Sequence, residues 1–145
     1  MTLSLSWTGW PSYQDYLAAR RRYATLTPKL YNGQLAGFTV DMPGIVGGGS
    51  RATMTYRVYV TLVNSPAHPP DAWMTYPQDH LIRHCNVWHP GGGSPQVRLE
   101  LPFVCLGHFA DNWNSGRLGR ATNFLSFLDQ VYTVLNNENP DSPAR

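Results

Sequence analysis

A cysteine stands inside an apolar run in the stretch Leu101-Pro102-Phe103-Val104-Cys105-Leu106-Gly107-His108-Phe109-Ala110-Asp111-Asn112-Trp113. Val104 and Leu106 flank the thiol, Pro102 precedes it, and the glycine, histidine, aspartate, asparagine and tryptophan that follow keep neither helical nor strand periodicity. Cys105 is therefore expected where an extended segment gives way to a loop, held by apolar neighbours yet close to polar ones, as a nucleophile would be. The simpler role fits as well, because an unpaired cysteine is often just a small buried hydrophobe. Cys85, inside an expected strand, is read as such a residue.

The same side chains permit a metal alternative. Cys85-x3-His89 and Cys105-x2-His108 form two short ligand pairs with fifteen residues between them. The order is unusual for a zinc site, Pro90 stiffens the chain after His89, and Cys105 would have to leave its apolar flanks. The reading carried forward has no metal and no cofactor. A Cys85–Cys105 disulfide is possible on count, but a reducing compartment and a domain of this size favour two thiols.

The elements that must position Cys105 come from the rest of the chain. At 145 residues, 42% of them hydrophobic, it suits one globular domain, 1–145, with a core that needs no staple. No apolar run approaches the roughly 20 residues that span a bilayer, so no membrane is expected. Met1 to Pro11 lacks the features of a secretory signal, which gives a cytoplasmic expectation. A formal charge of +2, with Arg20-Arg21-Arg22 as the basic run, argues against nucleic acid. The Gly47–Ser50 and Gly91–Ser94 stretches read as flexible loops without the ending of a phosphate-binding loop.

Ser12 is placed to cap a helix from Tyr13 to about Thr25, with Tyr13, Tyr16, Leu17, Tyr23 and Leu26 near one face and Pro28 as its stop. Lys29 to Pro43 reads as one bent strand or two short ones. Thr53 to Val63 alternates cleanly and predicts a strand with one buried face. Pro66, Pro69, Pro70 and Pro77 predict a long loop without regular structure. Leu81 to Trp88 reads as a strand with Leu81, Arg83, Cys85 and Val87 on one face and Ile82, His84, Asn86 and Trp88 on the other, closed by His89-Pro90. Gly91 to Glu100 is glycine-rich and then mildly extended. A closing helix follows from Phe124, Leu125, Phe127, Leu128, Val131, Tyr132 and Leu135, ended by Asn136-Asn137 and Pro140. Helix, antiparallel strands, loop-borne cysteine and closing helix make an α+β domain.

In this order the residues resemble the ubiquitin-conjugating enzymes, in a short form like the bacterial members. His89-Pro90 is similar to the start of that family's His-Pro-Asn motif, and Val104-Cys105-Leu106 to its Ile-Cys-Leu active site. Trp113 lies eight residues after the cysteine, as the family's tryptophan does, and Asn139-Pro140-Asp141-Ser142-Pro143 resembles the text after its post-active-site helix. The departures are Gly91 in place of the motif's asparagine, a longer separation of His89 from Cys105, and a chain that stops at Arg145 without the two further helices of the eukaryotic domain.

The resemblance implies a carrier that accepts a ubiquitin-like protein as a thioester on Cys105 from an activating enzyme and transfers it to an amine of a protein target. A bacterial antiviral-defence pathway is the implied setting. It implies polar help for a transient oxyanion or for the acceptor from His108, Asp111 and Asn112, although Asp111 and Asn112 equally suit a turn and His108 a surface position. Ser142 would line the approach to the cysteine, His89 and Pro90 would fix the loop, and Trp113 would pack beneath it. Arg20 to Arg22 lie on the helix that the family uses toward its activating enzyme, or form a solvated face. The competing reading is an inactive module that only docks ubiquitin-like proteins.

The thiol and zinc readings separate cheaply. The purified protein is expected to hold no stoichiometric zinc and to show two titratable thiols when reduced and denatured. One zinc per chain, lost in Cys85→Ser, would instead establish the metal site.

Overall fold

The computed structural model describes residues 7, 9–63, 65–77, 84, 86–88, 101–106, 109, 113 and 123–137. Helix α1 (Tyr13–Arg22) starts as expected: Ser12 is in extended conformation and its hydroxyl accepts the Asp15 N–H at 3.1 Å, while Asp15 in the first turn and three arginines in the last complement the helix dipole. It ends at Arg22 rather than near Thr25. Tyr23 leaves helical geometry, which carries its ring into the core and its hydroxyl to Asp129 at 2.6 Å.

The broken strand-like stretch forms two strands, β1 (Thr27–Tyr31) and β2 (Gln34–Gly47), paired antiparallel. Asn32 and Gly33 join them, both at positive φ (51° and 76°), the geometry whose twist matches a tight hairpin. Pro28, expected only to stop the helix, lies within β1. That strand is the sheet's outer edge, where a missing N–H leaves no ladder incomplete.

Strand β3 (Ser50–Thr61) begins three residues before the expected Thr53 and buries Tyr56, Val58 and Val60, the face its alternation indicated. The proline-rich stretch departs from expectation. Asp71–Tyr76 forms β4, paired with β3 from Thr61↔Asp71 to Arg57↔Tyr76. Pro70 and Pro77 bracket this segment without interrupting it, so its six N–H groups remain free to pair.

Strands β5 (Val87–Trp88) and β6 (Phe103–Val104) complete an antiparallel sheet in the order β1-β2-β3-β4-β6-β5. Of the strand expected over Leu81–Trp88, the described residues are paired as strand at Val87–Trp88 and not at His84 or Asn86. His84 and Asn86 lie in a turn closed by the Val87 N–H on the His84 carbonyl at 3.2 Å, and His84, Asn86 and Val87 are all buried rather than alternating. Residues 81–83 and 85, and the Gly91 to Glu100 stretch, lie outside the described residues.

Helix α2 (Phe124–Leu135) has the expected bounds, with Asn123 capping the Ser126 N–H at 3.1 Å. Phe124, Phe127, Leu128, Val131 and Leu135 are buried against Tyr16 and Ala19 of α1 and against Phe38, Val40, Met42, Tyr56, Val58, Val60, Ala72 and Met74 of the sheet. Burying those five α2 side chains contributes on the order of 10 kcal/mol gross, before chain entropy is counted. Among the described residues the protein is thus an α+β structure with an antiparallel open sheet and the helices α1 and α2.

One close approach sets how far α2 descends onto β2. A Cβ added at Gly44 would stand 2.8 Å from the Leu135 carbonyl oxygen and 2.8–2.9 Å from the Tyr56 ring. Gly44→Ala is therefore expected to destabilise by ~1–3 kcal/mol in urea unfolding, because backbone on one side and a packed ring on the other must shift.

Candidate functional site

Cys105 sits one residue beyond β6, where the extended segment gives way to irregular chain, and its exposure is intermediate. The thiol is free. Val104, on its N-terminal side, is fully buried and pairs with Val87; Pro102 offers its carbonyl to the Met74 N–H at 2.8 Å. On the other side Leu106 packs against the core and accepts the Phe109 N–H at 3.2 Å. Trp113 is buried as expected. Its indole N–H donates to the Pro66 carbonyl at 2.7 Å, and its ring meets Trp10 and Phe109 with centroids 5.7 and 5.5 Å away.

The cysteine backbone is tied to a pair of residues that were not expected to act there. The Cys105 N–H donates to the Asn86 carbonyl at 2.8 Å. The Asn86 N–H in turn donates to Nδ1 of His84 at 3.2 Å, and Nε2 of His84 lies 3.0 Å from the Leu135 carbonyl. These partners settle the tautomer. A backbone N–H can only donate, so Nδ1 is the acceptor; a carbonyl can only accept, so Nε2 carries the proton of a neutral imidazole.

The Asn86 side chain reaches the same helix end, donating from Nδ2 to the Val134 carbonyl at 3.0 Å and the Asn137 carbonyl at 2.6 Å. An α-helix leaves its last four carbonyls without helical partners. Here Tyr132 and Thr133 are met by the Asn136 and Asn137 amides, each at 2.8 Å, and Val134 and Leu135 by Asn86 and His84. The turn at 84–86 thus joins the end of α2 to the backbone of the candidate nucleophile. A signal for it was present in the sequence as a histidine and an asparagine two apart, just before the short apolar pair Val87-Trp88.

Of the other expected site residues, His108, Asp111, Asn112, His89, Pro90 and Ser142 lie outside the described residues, as does Cys85. Three of the four ligands in the zinc reading fall among these. Among the described residues no group of three or more His, Cys, Asp or Glu side chains could hold a metal ion, and no helix is long and apolar enough to cross a membrane.

A separate cleft of about 520 Å³ opens where the end of α1 meets α2 and β2, lined by Arg22, Tyr23, Asp41, Pro43, Asp129 and Tyr132 among others. Its charges are already matched. Arg22 pairs with Asp129, which also accepts the Tyr23 hydroxyl, and Arg57 pairs with Asp41 at 3.0 Å. Burial, and then the Asp129 hydrogen bond and charge, push the Tyr23 hydroxyl well above its ordinary pKa and keep it protonated. Of the basic triplet, Arg22 is therefore committed to α2, and Arg20 donates to the Tyr16 hydroxyl at 3.4 Å.

Comparison with protein families, with curated proteins and with solved structures finds no match to this chain.

The joint at Asn86 has a testable signature. Asn86→Ala removes a side-chain donor from the Val134 and Asn137 carbonyls and is expected to cost ~1–3 kcal/mol in denaturant unfolding. Asn86→Asp should be worse at neutral pH, because it sets a carboxylate against those oxygens at the negative end of the helix. Equal stability of Asp and Ala variants would mean that the side chain does not face those carbonyls.

Proposed function

We propose that this chain is a ubiquitin-conjugating-enzyme-like carrier that takes a ubiquitin-like protein as a thioester on Cys105. The observation that carries this reading is the placement of Cys105: a partly exposed thiol just past a short paired strand, its backbone held by Asn86. His89 and Pro90 stay assigned to the start of the motif, and His84 and Asn86 add support to the Cys105 backbone from the preceding turn. The α+β order of an N-terminal helix, an antiparallel meander, the cysteine and a helix behind it supports the same assignment.

The chemistry requires two exchanges at one sulfur. The Cys105 thiolate attacks the thioester carbonyl through which the ubiquitin-like protein is held on its activating enzyme, and the activating enzyme's thiolate leaves. A target amine then attacks the new thioester, the tetrahedral oxyanion collapses, the Cys105 thiolate departs, and the amine's proton passes to a base. The Asn86 side-chain N–H groups are engaged with the end of α2. Asn86 therefore acts as a positioning residue, and polar help for the oxyanion is assigned to His108, Asp111 and Asn112 or to backbone N–H groups of the loop.

The deciding experiment supplies the cognate activating enzyme, ATP and a ubiquitin-like protein ending in an exposed glycine. A covalent adduct is expected that reductant or hydroxylamine cleaves, that Cys105→Ala abolishes, and that Cys105→Ser converts to a reductant-resistant oxyester. An adduct retained in Cys105→Ala but lost in Cys85→Ala would move the nucleophile to Cys85. Binding without an adduct in any variant would make the protein a docking module.

A further inference from the structure

We infer that the sheet face carrying Cys105 seats the acceptor amine, with Asp71 as the group that holds a lysine side chain beside the thioester and takes a proton from its nitrogen during attack. The inference deepens the function proposed above and rests on that reading. Val104 lies in the core and Leu106 packs against it, so Cys105 between them falls on the other face of the sheet, away from the helices. Phe103 shares that face, its ring meeting Trp73 with centroids 4.7 Å apart. Along β4, Ala72 and Met74 belong to the core, which puts Asp71 on the outer side with Trp73. Trp73 pairs with Phe103, and the Met74 N–H on the Pro102 carbonyl keeps the same register. Carried on by two residues, that register sets Asp71 opposite Cys105. Thr61 of β3 is the direct partner of Asp71, so Thr61, Asp71 and Cys105 form one row across the outer face.

This row has hydrogen-bonding capacity that the fold does not use. Thr61 and Trp73 are 4% and 1% exposed, and the Thr61 hydroxyl and Trp73 indole nitrogen have no hydrogen-bond partner. Buried polar groups are nearly always paired, so two open ones on one face point to an occupant that brings its own donors and acceptors. Among the described residues the ion pairs are Arg22–Asp129 and Arg57–Asp41, and Asp71 belongs to neither. Burial holds the Asp71 carboxyl above the ordinary carboxylate range, and the charge of exposed His68, in the loop before β4, lowers it in part. A half-buried carboxylate beside an acceptor hydroxyl favours a cation with several N–H groups. Lysine has that head, and its apolar stem suits the half-buried ring of Phe103.

The bound ammonium first gives one proton to solvent. Its nitrogen lone pair then forms the N–C bond to the thioester carbonyl, the carbonyl π pair moves onto oxygen, and the nitrogen becomes cationic. Asp71 takes a proton from that nitrogen, the oxyanion re-forms the carbonyl as the C–S bond breaks, and Cys105 leaves as a thiolate with the amide made.

The test has two arms, and the first needs no activating enzyme. The folded full chain is alkylated with cationic (2-bromoethyl)ammonium and, separately, with neutral iodoacetamide, and modification is followed at Cys105 by peptide mass spectrometry. Asp71→Asn is expected to lower the cationic-to-neutral rate ratio by about 3-fold or more, while Asp71→Glu keeps most of it. A general loosening of the fold would expose the thiol to both reagents and leave the ratio alone. An unchanged ratio in Asp71→Asn would overturn the placement of Asp71 beside the thiol. In the second arm free lysine is added to the preformed thioester, and single-turnover discharge is expected to slow by about 10-fold or more in Asp71→Asn. Equal discharge with a lowered ratio would overturn the role of Asp71 in transfer. If the unaltered chain forms no adduct, the conjugation reading fails, and the labelling ratio still decides whether Asp71 faces Cys105.

Discussion

The end of α2 is the joint on which the arrangement depends. A helix that stops inside a domain must find donors for its last carbonyls, and each unmet one costs roughly 1–3 kcal/mol when buried. Asn136 and Asn137 fold back on two of them, while the 84–86 turn meets the other two. The Asn136 amide also donates to Pro43 of β2 at 2.9 Å, and Gly44 beside it has no Cβ to hold the helix off. A hydrophobic stripe alone would let α2 slide along the sheet. The carbonyl pairings fix where it stops.

That joint explains how so short a strand pair can hold the Cys105 segment in place. Strands β5 and β6 are two residues each, too small to be stable by themselves. They are held because Val87 and Val104 enter the core beneath α2, because β6 borders β4, and because the turn before β5 is bonded to the helix end. Cys105 follows directly and inherits that rigidity through its own N–H. A nucleophile on an ordered backbone keeps its approach geometry without being buried, which is what exchange with large protein partners would require.

Part of this architecture was legible because local rules decided it. The start of α1 follows from Ser12 and Asp15, the bounds of α2 from an apolar stripe followed by Asn136-Asn137, and β3 from strict alternation. Strand β4 was hidden because prolines at 66, 69, 70 and 77 dominate the text, although they fall outside the paired residues. The turn holding His84 and Asn86 was hidden because its alternation with neighbours imitates a strand, while its actual partners lie 48 to 51 residues away, in α2 and just after it.

The sequence by itself determined which residues can react and which faces are apolar, since side-chain identity and short periodicities carry both. It singled out Cys105 from its flanks and anticipated that Trp113 is buried. Only the tertiary structure decided what holds the cysteine in place. A hydrogen bond between residues far apart in the chain depends on where two elements stop relative to each other, and no local pattern encodes that distance. His84 and Asn86 therefore read as ordinary polar positions until α2 is set against them, at which point their donors and acceptors have one consistent assignment.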